Sequence, residues 1–387
     1  MSLLTHVHVH QFFKNKELNH FYVSVAIMTF GQALISIFVP IYLYKLGYPI
    51  HSIIFFYFLV SLCIVVFAYS GAKIVSKVGV KHSVLLSVPF VVIYYIGLLL
   101  LQNNMWLFFI LPILLAWHRI FYFYGYHINY ITHSERGKRG KEISFIGTIS
   151  IAMHIIAPLT GGIITYYYDF AFLYVVGSII LLLGTIPLFF SKDDYEKIEF
   201  NSKSLLDKMF SKKERGTLVS FSAYAVESII GRVIWPIFLI TILLTIEKTG
   251  LVVTLSMIVS LFVFYFMGKI TDKYDKTKLL NLGTLLYFFA WTGRVFVDSS
   301  TKIIAIDSYK NITEKILHVP WSAQSYDLAV QRGYFRFIVS REIIFNLSRV
   351  VLMPLLMVVF FFEWHSFAIS FLIAALFSTG YIFLNKD

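Results

Sequence analysis

Long apolar runs without a charged residue recur from one end of this chain to the other. Each is long enough to cross most or all of the roughly 30 Å hydrocarbon layer of a bilayer. "SVPFVVIYYIGLLLL" (87–101), "FLYVVGSIILLLGTIPLFF" (172–190) and "FAISFLIAALFSTGYIFL" (367–384) are three of them. In lipid every backbone N–H and C=O needs an internal partner, which leaves helices or a closed barrel. A barrel would show short alternating segments instead. The chain is only 14% charged, where a soluble domain carries about 25%. The fold class that follows is an all-α polytopic membrane protein.

The apolar pattern places spans at 18–46, 50–78, 82–101, 104–132, 142–168 and 170–190, then at 217–246, 249–271, 279–299, 301–330, 336–362 and 364–384. The expected organisation is a tail (1–17), a six-helix bundle (18–190), a linker (191–216), a second six-helix bundle (217–384) and a short end (385–387). Of the 33 Lys and Arg, 23 fall in the tails and even-numbered loops, whereas the odd-numbered loops hold only Lys45, Lys248 and Lys302. That asymmetry places both termini and the linker in the cytoplasm of a plasma or bacterial inner membrane. It also reads the net charge of +12 as orientation, not as a nucleic-acid surface. The first residues lack the short apolar core and cleavage site of a signal peptide. With Cys63 as the sole cysteine, no intrachain disulfide can form.

The segment "DSYKNITEKILH" (307–318) tests this map, because it is too charged for a lipid-facing helix. On a helical wheel Asp307, Lys310, Asn311, Glu314, Lys315 and His318 fall within an arc of about 140°. Tyr309, Ile312, Ile316 and Val319 take the other side. Such an amphipathic helix turns its polar stripe toward water or protein. Treating it as a loop would reverse the charge alternation for everything after it, so it is read as a span that walls a cavity.

The two halves share an offset of 196 residues. It joins Pro40 to Pro236 within "FVPIYL" and "IWPIFL", Pro158 to Pro354, Gly97 to Gly293, and Arg136-Gly137 to Arg332-Gly333. Repeated halves are common in transporter folds. A parallel 6+6 duplication fits both the offset and the charges.

Short motifs on matching spans then carry a resemblance. "GKITDKYDKTK" (268–278) resembles the G-x-x-x-D-[RK]-x-G-[RK]-[RK] signature of the major facilitator superfamily, with Gly268, Asp272 and Lys273 in place and Asp275 where Gly is usual. The first-half copy, "GAKIVSKVGVK" (71–81), keeps Gly71, Lys77, Gly79 and Lys81, but has one extra residue and lacks the acid. "APLTGG" (157–162) is similar to the P-x-x-G-G core of the family's antiporter signature, through Pro158, Gly161 and Gly162. Leu115-x-x-x-Arg119 resembles the start of its conserved-arginine motif. The resemblance covers essentially the whole chain. It implies twelve helices with spans 1, 4, 7 and 10 around a central path; the basic loops of Arg136 and Arg332 read as orientation signals, or more sharply as gate contacts. Pro158, Gly161 and Gly162 also read as an ordinary packing kink.

The offset pairs Arg119 with Lys315, each near the middle of its span. A buried cation costs roughly 2.5–3.5 kcal/mol on insertion scales unless solvated or paired. Arg119, Lys315, Arg232 and Arg349, with Asn311, Gln32, Ser36 and Ser228, are therefore the candidate substrate-binding residues. Glu314, Glu227, His318 and Asp307 are the candidate proton carriers. The alternative is that these charges form structural ion pairs, and Lys310 with Glu314 already stands at i,i+4. The histidines of "HVHVH" (6–10) have no acid or cysteine close by, so neither a metal nor a cofactor is assigned, and no catalytic residue. The leading expectation is a monomeric secondary transporter for a small polar, anionic or zwitterionic solute, exporting it against protons. The alternatives are an uptake symporter and a non-transporting receptor or scaffold on the same fold.

Overall fold

A computed structural model describes residues 16–133, 139–190, 211–363 and 365–384. The histidines at 6–10, Arg136, most of the linker and Lys386 lie outside the described residues. Within them the chain forms twelve helical spans. The first half holds α1 (Lys16–Ser36, continuing as Phe38–Lys45), α2 (Ile50–Val78), α3 (Val80–Leu100), α4 (Leu107–His133), α5 (Arg139–Tyr167) and α6 (Phe170–Phe189). The second holds α7 (Arg215–Ile229, continuing to Leu243), α8 (Ile246–Lys273), α9 (Lys276–Gly293), α10 (Ser300–Arg332), α11 (Tyr334–Phe361) and α12 (Ser366–Ser378, with a tighter turn to Phe383). Ten of these are long and apolar enough to cross a bilayer, and α9 and α10 are not among the ten. Helix α10 nevertheless runs 33 residues, close to 50 Å at 1.5 Å per residue, and packs against α8, α9 and α11. Its polar stripe is covered by protein, which is why so polar a helix can stand among the spans.

Helix packing repeats from half to half. Helix α1 packs on α5 and α6, as α7 packs on α11 and α12. The pairs α2–α4 and α3–α4 have their counterparts in α8–α10 and α9–α10. Between the halves, α2 packs along α11 and α5 along α8. The rotation that exchanges the halves turns the first of these pairs into the second, so the two seams are equivalents.

Proline explains an irregularity that also repeats. A helical proline has no N–H, and its ring crowds the carbonyl four residues back. Pro40 and Pro236 deprive Ser36 and Arg232 of that bond. Helix α1 is broken at Ile37, and α7 widens into a π turn over Ile230–Ile234, where the Trp235 N–H reaches back to the Ile230 carbonyl. The two distortions lie at the same repeat position. Single-residue reversals at Gly79 (φ 89°) and Gly333 (φ 87°) join α2 to α3 and α10 to α11. Such left-handed backbone favours glycine.

A tight crossing of α5 with α8 locks the seam near the odd-loop face, the face opposite the chain ends. A Cβ on Gly250 would sit 2.3 Å from the Pro158 carbonyl oxygen, and the Gly162 position lies against the main chain of residues 246–250. Gly161 instead faces the Leu34 carbonyl and Phe38 of α1. The close-approach reading of Pro158, Gly161 and Gly162 thus has named neighbours.

Candidate functional site

A cavity of about 170 Å³ lies between α2, α4, α7, α10 and α11. Four arginines line it: Arg341 of α11 is paired with Glu342, and the other three are Arg119 from α4, Arg232 from α7 and Arg349 from α11. Each of these three stands near the middle of its helix, so the cavity is near the middle of the bundle. Arg119 and Arg232 are close enough to repel one another, and Arg349 feels both. Arg119 has a buried Nη1 without a hydrogen-bond partner. Arg349 is held by the Ala225 carbonyl (3.3 Å), Asn346 Oδ1 (3.2 Å) and Ser228 Oγ (3.1 Å), all neutral acceptors. Among the described residues, no carboxylate forms an ion pair with any of the three. The π turn has a direct consequence here, because it carries Arg232 itself; such turns in mid-helix often sit at functional sites.

Acids do stand nearby, but they are occupied elsewhere. Glu227 is buried and points away from Arg232, accepting hydrogen bonds from the hydroxyls of Tyr287 and Tyr381 at 2.8 Å each. His318 lines the cavity and reaches behind its wall. Its Nε2 lies 2.9 Å from the Tyr381 hydroxyl and 3.5 Å from Glu227 Oε1, while Nδ1 lies 3.7 Å from Glu314 Oε1. Glu314 is held in turn by Lys310 at 2.7 Å and Lys315 at 3.5 Å. A chain of titratable groups, Glu227–His318–Glu314, therefore begins at the cavity. Glu342 lines the cavity and pairs with Arg341 at 3.1 Å.

Several expected site residues are placed differently. Lys315 does not line the cavity and sits against Glu314, so the cation that faces Arg119 from the second half is Arg232. Asp307 is a buried ion-pair partner of Arg294, whose guanidinium lies 3.7 Å from the Trp235 ring and 4.4 Å from that of Trp291. It is spoken for, and the proton role expected of it gives way to a structural pair. Asn311 donates to the Ser256 carbonyl at 3.2 Å and ties α10 to α8. Gln32 meets His118 at 3.5 Å outside the cavity lining, and Ser36 is exposed. Ser228 acts through Arg349.

The expected gate residues divide similarly. Gly71 gives α2 a close approach to Ile120 of α4. Lys77 ends α2, and Lys81 lies in the first turn of α3 after Gly79. Gly268, Asp272 and Lys273 lie in the last turns of α8. Asp275, which stands where the resembled motif has glycine, caps α9 by accepting from the Thr277 N–H at 2.8 Å. Arg332 pairs with Glu214 and so links α10 to the start of α7 inside the second half.

Residues that the sequence reading passed over complete the site. Tyr224, Trp321 and Phe345 line the cavity as a packed aromatic group, with Tyr224 stacked on Trp321 at 5.1 Å and tilted on Phe345 at 4.7 Å. His127 of α4 and Tyr326 of α10 share a hydrogen bond of 2.8 Å at the cavity's even-loop side. This bond joins the halves. At the odd-loop face the joint is the Gly162–Gly250 crossing, with His51 of α2 packed on Phe361 of α11 at 5.7 Å. An aromatic run such as "FYFYGYHINY" (121–130) carries no sign of which ring meets the other half.

Twelve helices in two equivalent sets around a central polar cavity define the major facilitator superfamily fold, and comparison bears this out. The fold matches the Escherichia coli fucose:proton symporter FucP with a TM-score of 0.68, covering 95% of this chain and 97% of that one at 12% identity. A second structure of FucP, described as a major facilitator superfamily transporter in the outward conformation, gives 0.67 over 96% and 98%, again at 12% identity. In sequence the chain is 21% identical over 182 residues to a multi-drug resistance efflux pump PmrA homolog of Lactococcus lactis subsp. lactis (strain IL1403). That match covers 44% of this chain and 45% of the relative, so the chain spans less than half the length of the curated relative it matches. No family model matches the chain.

Proposed function

We propose that the protein is a secondary transporter for a small anionic solute, working by alternating access of its two six-helix bundles (18–190 and 217–384) around the central cavity, coupled to protons. The observation that carries this reading is the convergence of Arg119, Arg232 and Arg349 on one cavity, drawn from both halves and without a carboxylate partner among the described residues. Uncompensated cations at membrane depth are costly, and a bound anion supplies the missing countercharge. The halves part at the even-loop side by breaking the His127–Tyr326 bond, and at the odd-loop side by separating His51 from Phe361 as α5 and α8 roll about the Gly162–Gly250 crossing. In this scheme both termini are cytoplasmic and the membrane is that of the cell.

Protons enter through His318, Glu227 and Glu314. A proton gained by this network changes the charge beside the arginines and so the hold on the anion. Export by exchange is the favoured direction, supported by the antiporter-like stretch at Pro158–Gly162 and by the efflux name of the Lactococcus relative. Uptake by symport is the second reading, favoured by the likeness to a proton symporter along nearly the whole chain.

Purified protein in proteoliposomes under an imposed proton gradient tests the proposal, with organic anions screened against cations. The expected result is anion flux that Arg119→Ala reduces at least 100-fold while the variant stays monodisperse. Normal flux in that variant would refute the anion site.

A further inference from the structure

Resting on the transporter reading, we infer that the solute is a small organic dianion with a short carbon skeleton, bridged by Arg119 and Arg232 and seated on the Tyr224–Trp321–Phe345 surface. The charge balance of the wall carries the first part. Arg341 is matched by Glu342, whereas Lys310 and Lys315 share Glu314 and stand outside the cavity lining. What remains unmatched is Arg119, Arg232 and Arg349. Arg349 already donates to three neutral acceptors, which leaves the other two guanidiniums to grip a ligand. Each presents a planar fork suited to a carboxylate or phosphate. A neutral sugar would leave all three charges uncompensated, a monoanion two, and a zwitterion would bring an ammonium beside guanidiniums. A lipophilic cation is repelled outright.

The second part comes from shape. An inorganic ion has no use for three aromatic side chains on the wall, whereas a few carbon atoms do. The cavity, about 170 Å³, is below the roughly 300–1,000 Å³ of drug-sized sites. A short phosphomonoester and a short dicarboxylate both meet these demands.

Counterflow into proteoliposomes, with glycerol 3-phosphate and succinate as the two dianion probes, separates the sources. Glycerol, propionate, betaine and tetraphenylphosphonium serve as competitors, and Trp321 fluorescence reports binding independently of flux. At pH 7.5 at least one dianion is expected to half-saturate at a concentration 100-fold or more below any competitor. Arg232→Gln should weaken that dianion at least tenfold. Arg232→Lys, which keeps the charge but loses the fork, should recover only part of the loss, while Lys302→Gln on the surface should change nothing. If glycerol 3-phosphate is the ligand, its affinity should rise as pH passes the phosphate's second pKa of about 6, whereas glycerol 3-sulfate, which lacks that proton, should stay flat. Succinate alone binding would identify the dicarboxylate. Dianion binding without counterflow would remove the transporter reading and leave the site standing. Flux of a monoanion, zwitterion or cation at equal affinity, no binding of either dianion, or an unaffected Arg232→Gln would each overturn the inference.

Discussion

The two halves share one helix-packing plan and differ in almost everything chemical. Of the charged side chains that line the cavity, α1–α6 contribute Arg119 alone, with Tyr57, Tyr94, Tyr95 and His118 near enough on that side to feel its charge. Inside α7–α12 lie Arg232, Arg349, the Glu227–His318–Glu314 chain, the Arg341–Glu342 pair and the Arg294–Asp307 pair. The halves agree in where helices meet, because that depends on backbone approach and proline position, which recur at the 196-residue offset. Charge is cheap to change at any one position, provided a partner is close. The second half therefore holds nearly all the charge around the cavity, and the first contributes Arg119 and the His127 end of the bond between the halves.

Breaking the buried pair of the second half should have the largest effect. Asp307→Asn leaves Arg294 uncompensated between two indoles and should cost about 3–5 kcal/mol, read as thermal unfolding in detergent. The double change Arg294→Met with Asp307→Leu should restore most of it. Little loss in the single variant would mean that these charges are not internally matched. Next comes the crossing between the halves. Gly250→Ala should destabilise by about 1–3 kcal/mol through overpacking, since its new methyl meets a rigid carbonyl. Gly162→Ala, whose nearest neighbours stand at 3.2 Å, should cost less. Equal costs on the same unfolding assay would contradict that asymmetry.

A smaller effect is expected at the proposed proton path of the second half. Glu227→Gln keeps an acceptor oxygen for one of Tyr287 and Tyr381, lets the other hydroxyl accept from the amide N–H, and removes the charge. Solute exchange should persist while gradient-driven accumulation falls about tenfold, about 1.4 kcal/mol; unchanged accumulation would clear Glu227. The smallest change is His127→Phe, which deletes one bond between the halves, worth about 0.5–1.5 kcal/mol. It should raise the alkylation rate of a reporter cysteine placed at Ser322, in a background with Cys63→Ser, by favouring an open even-loop side.

Much of this architecture was legible in the sequence. Helix positions follow from apolar length, and α10 was recognisable as a span because its charges share one face. The repeat offset and the close-packing role of Gly161 and Gly162 were equally open to reading. The partners of the charges were not. A helical wheel puts Asp307 and His318 on one stripe, yet α10 is so long that the stripe passes three different neighbours: Arg294 near the odd-loop end, Ser256 lower down, and then Glu227 with Tyr381. Direction on a wheel carries no information about which helix stands opposite. The match of Arg119 with Lys315 failed for the same reason, since equal repeat position does not oblige two side chains to face one cavity. Arg232 reached it instead, on a turn whose geometry departs from the α-helix on which a wheel is drawn.

The crossing of α5 on α8 has a mechanical corollary. At Gly162 and Gly250 the two rods touch through main-chain atoms, with no interlocking knob to lift out of a hole. Like a shaft in a plain bearing, such a contact keeps nearly constant area as one rod rolls over the other. Resistance to rotation is then set by the few latches at either end of the molecule, not by the fulcrum itself.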